Sequence, residues 1–176
     1  LNQIHGNRCI EAAFTDSPEA DASWTDRPGI VCAVMTADCL PVLLCDKQGT
    51  VVGAAHAGWK GLAAGVIEAT VKAMDVPPQN LMVWLGPAIS RDAFEVGEEV
   101  RAIFVKNDPQ AASAFIPGQP GKYLANIYVL ARLRLNALDI TQIYGGGYCT
   151  YREREKFFSY RRDGVTGRMG TFIWLA

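Results

Sequence analysis

The chain has 176 residues, with 17 basic and 18 acidic side chains and a net charge of −1, which supplies no basic field for nucleic acid. Hydrophobic residues make up 49% and charged residues 20%, so a substantial core is available and residues 1–176 read as a single domain. No apolar run reaches the roughly 18 residues that would cross a bilayer, no signal peptide is visible, and five irregularly spaced cysteines without a C-x-x-C pair fit reduced thiols in a cytoplasmic protein better than a disulfide framework.

Residues 8–14 predict a strand, and residues 15–29, polar and punctuated by Pro and Gly, predict a loop. The apolar runs 30–36 (IVCAVMT) and 41–45 (PVLLC) predict buried strands. Asp46-Lys47-Gln48-Gly49 is a turn signal, and 51–57 follows as the partner strand, so the hairpin ends at His56. From 59 to 74 the period becomes helical, with Leu62, Ala63, Val66, Ile67, Thr70, Val71 and Met74 on one face. Pro77-Pro78 stops that helix. Residues 81–85 predict a strand before a Gly86-Pro87 turn, and residues 95–107 predict a helix. Residues 108–121 hold three prolines and two glycines and read as irregular. Leu124, Ile127, Tyr128, Ala131, Leu135 and Leu138 mark a helical face. A β-rich end follows at 142–144, 157–160 and 169–175. Strands and helices do not alternate strictly, which favours α+β with mixed sheets over a doubly wound fold. The first residue is Leu1, not Met, beside a candidate site residue, so a native N-terminal segment that could carry further site residues is expected to be missing.

The chain holds two histidines, His5 and His56, with Cys39 between them in sequence. Two imidazoles and a thiolate can hold one zinc ion with a coordination position left open. They are too few for a multi-copper centre, and they could instead form a thiol–imidazole pair for nucleophilic catalysis. Cys39 follows a predicted strand and the polar residues Thr36 and Asp38. It is either one more buried thiol or a site residue. Asp38 beside it raises the thiol pKa unless a cation compensates, which a metal ion or an imidazolium would do. His56 precedes Gly58, Lys60 and Gly61. That helix start either binds an anion, phosphate or carboxylate, or is a glycine-rich turn with a solvated lysine. Phe157-Phe158-Ser159-Tyr160-Arg161-Arg162-Asp163, with Thr166-Gly167-Arg168 after it, either stacks on a planar base and binds phosphate or forms a β-hairpin with a charged turn. Trp59, Trp84 and Trp174 read as core or cleft wall.

The motifs QIHGNRC, ADAS, VMTADCLPVLLCD, AAHAGWKGLAAGV, WLGPAIS, FEVGEEV and FFSYRRDGVTGRM together resemble the YfiH-type family. Its members carry names such as polyphenol oxidase, laccase domain protein, purine nucleoside phosphorylase and peptidoglycan editing factor. Members normally carry a further segment before the QxHG motif. The resemblance implies a layered α/β/β/α sandwich, similar to cysteine-deamidase-toxin-like folds. It implies zinc on His5, Cys39 and His56, with copper as the less favoured metal. The implied activities are phosphorolysis of adenosine, inosine and methylthioadenosine with adenosine deamination, amide hydrolysis in a muramoyl–serine cell-wall precursor, or copper-dependent phenol oxidation. The last fits worst, because a laccase centre needs more imidazoles than two. The expectation is a cytoplasmic, monomeric, zinc-dependent enzyme on purine nucleosides and phosphate, with neither nucleic acid nor membrane as partner. Cys39, His56 and Asp38 are its candidate catalytic residues, Asp38 as proton carrier. Lys60, Gly58, Arg161 and Arg168 are the candidate substrate or anion contacts. A non-catalytic metal- or nucleotide-binding module is the reading of a different class.

Overall fold

The structure is a computed structural model and describes residues 1–13 and 17–176. Phe14, at the end of the first expected strand, and residues 15–16 of the expected loop lie outside the described residues. The strands are β1 (Cys9–Glu11), β2 (Ala22–Thr25), β3 (Val31–Thr36), β4 (Leu40–Asp46), β5 (Val52–Ala57), β6 (Leu81–Leu85), β7 (Glu95–Gly97), β8 (Phe115–Pro117), β9 (Lys122–Ala125), β10 (Gln142–Gly145) and β11 (Met169–Trp174). The helices are α1 (Trp59–Ala64), α2 (Val66–Met74), α3 (Glu98–Asn107), α4 (Ile127–Ala137) and the single turn α5 (Tyr160–Asp163). The central sheet has the order β1-β2-β5-β4-β6-β10. It is mixed: β1–β2 and β6–β10 run parallel, the remaining pairs antiparallel. This is the expected α+β arrangement with mixed sheets.

The hairpin β4–β5 forms as its turn chemistry predicts. Asp46 accepts hydrogen bonds from the backbone N–H groups of Thr50 and Val51 at 2.6 and 3.0 Å and from Thr50 Oγ1 at 2.8 Å, a side-chain-locked turn. All six residues of β5 are buried, because the strand is covered on both faces. Helix α2 lies over β5, β2 and β1, while β3 and β11 pack on the other side. Ala55 and Ala57 join Leu62, Val66 and Ile67 in the main core, whereas Ala54 joins Cys32 and Val34 in a second one. By strand alternation His56 shares the Ala54 face, the one turned toward β3 and β11.

Helices, the six-stranded sheet and the β3–β11 pair stack as layers, and Val31, Met35, Phe172 and Trp174 are exposed on the outward face of β3–β11. Of the three tryptophans expected in core or cleft wall, Trp59 packs against the main core, Trp84 lines a cavity of about 420 Å³ with Pro41, Leu43 and Phe157, and Trp174 is exposed. A further antiparallel sheet, β7-β9-β8, lies beside α3.

Several boundaries move. The expected loop 15–29 contains β2, whose small residues Ala22 and Ser23 are buried; a strand covered on both faces shows no polar–apolar alternation. The expected helix 59–74 breaks at Gly65, where φ is 90°, left-handed backbone that caps α1 and starts α2. Residues 95–97 form β7 before α3 begins. The irregular stretch 108–121 contains a 3-10 turn at 109–114 and β8. Leu124 lies in β9, and the helix expected from there starts at Ile127, after Asn126 accepts a hydrogen bond from the Val129 N–H at 3.2 Å. Residues 157–160 are not a strand; they lead into α5, so the hairpin reading of that segment fails. No helix among the described residues is long and apolar enough to cross a membrane.

Candidate metal centre

Two turns and one strand end carry the centre. His5 lies in the turn before β1 with φ 62°. Cys39 lies in the β3–β4 turn, directly after Asp38 at φ 86°. His56 lies near the end of β5, opposite Pro41 of β4. Left-handed backbone is costly for a side chain with a Cβ, though less so for His and Asp, and both turns are held by carboxylates. Asp21, at the entry to β2, accepts the backbone N–H groups of Ile4, His5 and Gly6 at 3.2, 2.9 and 2.7 Å. Asp38 accepts from Thr150 Oγ1 at 2.6 Å, Ser159 Oγ at 3.0 Å and the Arg161 N–H at 2.7 Å. The second set ties the segment 150–161 to the Cys39 turn.

The ligand atoms of His5, Cys39 and His56 all lie within 4.8 Å of one another. The two imidazoles meet edge to face, with centroids 4.8 Å apart. Small side-chain movements bring such a set to the roughly 2.0–2.3 Å bonds of one zinc ion. Glycines make the close approach possible. A Cβ on Gly58 would lie 2.8 Å from Cys39 Sγ, and one on Gly61 would lie 2.7 Å from the Gly6 carbonyl oxygen. Gly58 is therefore explained by packing against the donors, where it is buried.

The electrostatics fit a cation. Burial, followed by the negative charge of Asp38, pushes the Cys39 thiol up to about 11, and Arg168 only partly opposes this. Burial lowers the His56 pKa and outweighs the hydrogen bond to Asp21, so its imidazole is neutral at pH 7. The contact of His56 Nδ1 with Asp21 Oδ1 at 2.8 Å is then a hydrogen bond to a carboxylate and not an ion pair. A thiol this hard to ionise makes a poor free nucleophile, yet it becomes a thiolate on a metal.

Two cavities share His5 and Cys39, and His56 lines the larger of them. The larger, about 560 Å³, is lined by Gln3, His5, Met35, Cys39, His56 and Arg168 among others. The smaller, about 300 Å³, is lined by Asp38, Trp59, Lys60, Phe94 and Arg161, again with His5 and Cys39. Tyr160 borders both. The structure thus brings together His5, Cys39 and His56, places Lys60 and Arg161 in one cavity and puts Arg168 in the other. Arg161 Nη1 also donates to the Glu95 carbonyl at 2.9 Å, and its guanidinium lies 5.7 Å from the Phe94 ring centroid. Asp21 was not singled out from the sequence, and Tyr160 entered only as part of the aromatic–arginine segment 157–163. Asp21, flanked by Ala20 and Ala22, offered one signal: an acidic residue amid small apolar neighbours is a candidate buried carboxylate.

The family model described as multi-copper polyphenol oxidoreductase laccase matches residues 1–176. Similar curated relatives include a protein of Escherichia coli named purine nucleoside phosphorylase YfiH, 57% identical, with 99% of this chain and 72% of the relative covered. A Pseudomonas aeruginosa protein, also named purine nucleoside phosphorylase, is 54% identical, with 99% and 73% covered. Among solved structures, a Neisseria meningitidis protein superposes with a TM-score of 0.98 at 56% identity, covering 99% of this chain and 73% of that one. The Bacillus licheniformis hypothetical protein YfiH does so with a TM-score of 0.91 at 33% identity, with 99% and 73% covered.

Proposed function

The chain belongs to the YfiH-type family, described as multi-copper polyphenol oxidoreductase laccase, and from that membership and its site we propose that it is a zinc-dependent enzyme acting on purine nucleosides. The reactions are phosphorolysis of adenosine, inosine or methylthioadenosine, and deamination of adenosine. One observation carries the reading: a His₂Cys donor set at the junction of two cavities, one of which holds two cations. Two reactants need two compartments that share one reacting point, and the donors sit at that point.

The residues divide the work. His5, Cys39 and His56 would hold zinc, which when bound supplies a Lewis acid with an open position for a reactant. The donor set suits a single zinc ion, and two imidazoles are too few for a multi-copper centre. Lys60 and Arg161 attract phosphate into the smaller cavity, Arg161 with a guanidinium fork suited to oxyanions. Trp59, Phe94 and Tyr160 present aromatic walls for a planar base. Arg168 is a second charge, at the larger cavity. In phosphorolysis a phosphate oxygen bonds to the ribose anomeric carbon, the carbon–nitrogen bond to the base breaks, and the base nitrogen takes a proton. Asp38 was expected to carry a proton, but its oxygens already accept three hydrogen bonds. We assign it instead to positioning Arg161 and the Cys39 turn.

Incubating the purified, metal-analysed protein with adenosine, with and without phosphate, tests the reading. Adenine and ribose phosphate with phosphate present, and inosine without it, are the expected products. Full zinc occupancy with adenosine unchanged in both reactions would overturn the purine-nucleoside reading and leave the amidase and the binding-module readings.

A further inference from the structure

We propose that Asp21 is the positioning residue of the metal centre: one buried carboxylate sets the tautomer of His56 and the turn that carries His5. This rests on the reading of His5, Cys39 and His56 as metal ligands. Asp21 is fully buried. Its Oδ1 accepts from the His5 N–H and from His56 Nδ1, at 2.9 and 2.8 Å, and its Oδ2 accepts from the Ile4 and Gly6 N–H groups, at 3.2 and 2.7 Å. The backbone agrees, since the His56 N–H donates to the Asp21 carbonyl at 2.7 Å, next to the Ala22–Ala55 pair of β2 and β5.

An ionised carboxylate only accepts hydrogen bonds. Nδ1 of His56 must therefore carry the proton, and the lone pair is left on Nε2 for an ion. Carboxylate-to-histidine contacts of this kind fix ring orientation at metal sites and raise ligand basicity. The same carboxylate gathers three successive amides, which holds His5 in left-handed backbone that would otherwise cost about 1–2 kcal/mol. Two ligands from chain positions 51 residues apart are thus oriented by one side chain before any ion arrives. Charge supports the assignment as well. A buried carboxylate whose hydrogen-bond partners are all N–H groups, together with a Cys39 thiolate, carries two negative charges, which one divalent cation neutralises.

The test is zinc affinity by competition with a chromophoric chelator, for the unaltered chain and for Asp21→Asn, alongside thermal melting of both metal-free proteins. The amide turns an N–H₂ toward groups that are already donors, so the expected loss is about 10–100-fold in affinity with a cooperative melt retained. Equal affinities would overturn the role of Asp21 while leaving the metal centre standing. No zinc uptake by the unaltered chain would overturn the centre and this proposal together. Histidine nitrogen NMR of the unaltered, metal-free chain keeps the idea testable should Asp21→Asn not fold. His56 protonated at Nδ1 supports the proposal, and protonation at Nε2 overturns it.

Discussion

Cys39 and Cys149 are close in connectivity and opposite in chemistry. Cys39 follows Asp38, and Asp38 accepts a hydrogen bond from Thr150, the residue after Cys149. Cys149 lines a separate cavity of about 390 Å³ with Ser90, Arg91, Tyr148, Arg152 and Glu153. Burial raises its pKa, but the Ser90 hydroxyl at 2.8 Å and the N–H groups of Ser90, Arg152 and Tyr151 outweigh it, and the thiol ends below its ordinary value. Cys39 ends near 11. The thiol that ionises easily has no imidazole in its cavity lining, whereas the one that resists ionisation has two beside it. Ease of ionisation alone therefore does not locate the chemistry here. Cys39 suits a thiolate created by a bound cation, which supports the proposed metal ligation over the thiol–imidazole nucleophile that the sequence left open.

The sharpest way to break this contrast is to remove each thiol in turn. Cys39→Ala should abolish zinc binding and nucleoside turnover together, whereas Cys149→Ala should keep both; elemental analysis and product assays read the pair. Zinc retained at full occupancy in Cys39→Ala would sink the contrast. Gly58→Ala comes next, because its methyl group would crowd Cys39 Sγ at 2.8 Å and His5 Cδ2 at 3.2 Å. It should cost about 1–3 kcal/mol of stability by overpacking and strip the metal, as melting and metal analysis would show.

Proton release sharpens the comparison further. With its pKa raised to about 11, Cys39 is protonated at pH 7, so zinc binding must expel that proton. Apparent zinc affinity should then rise about tenfold per pH unit from this thiol below its pKa. Chelator competition at pH 7 and pH 8 checks the slope, and a flat profile would argue that Cys39 is not a ligand. In the metal-free chain near pH 8, a thiol-alkylating reagent should label Cys149 ahead of Cys39, as peptide mass spectrometry would reveal. The smallest expected effect is that of Lys60→Ala. An exposed cation at one cavity should change phosphorolysis several-fold, on the order of 1 kcal/mol, and deamination less. Equal losses in the two rates would remove Lys60 from the phosphate site.

Much of the frame was legible because its causes are local. The runs at 41–45 and 51–57 with Asp46 between them specify the β4–β5 hairpin through strand propensity and turn hydrogen bonding. The scarcity of histidine, together with the Cys39 motif, drew attention to the three residues that converge. Other features were not legible. The alternation that would betray β2 is erased by burial on both faces. The segment after Phe157 has residues equally suited to a hairpin, and what turns it into α5 is the Asp38 carboxylate holding Ser159 and Arg161 from more than 120 residues away.

Sequence by itself determined which side chains could act: two imidazoles, a thiol between them, and a few cations near glycines and aromatics. These are properties of composition and of short-range pattern. Tertiary structure alone decided that Asp21 bonds to both the His5 N–H and His56 Nδ1, that Asp38 accepts hydrogen bonds from Thr150, Ser159 and Arg161, and that the cations divide between two cavities. Hydrogen bonds to a buried carboxylate are set by donors distant in the chain, at separations of 15 to 17 and 35 residues for Asp21. Only the folded sheet brings those donors to one point.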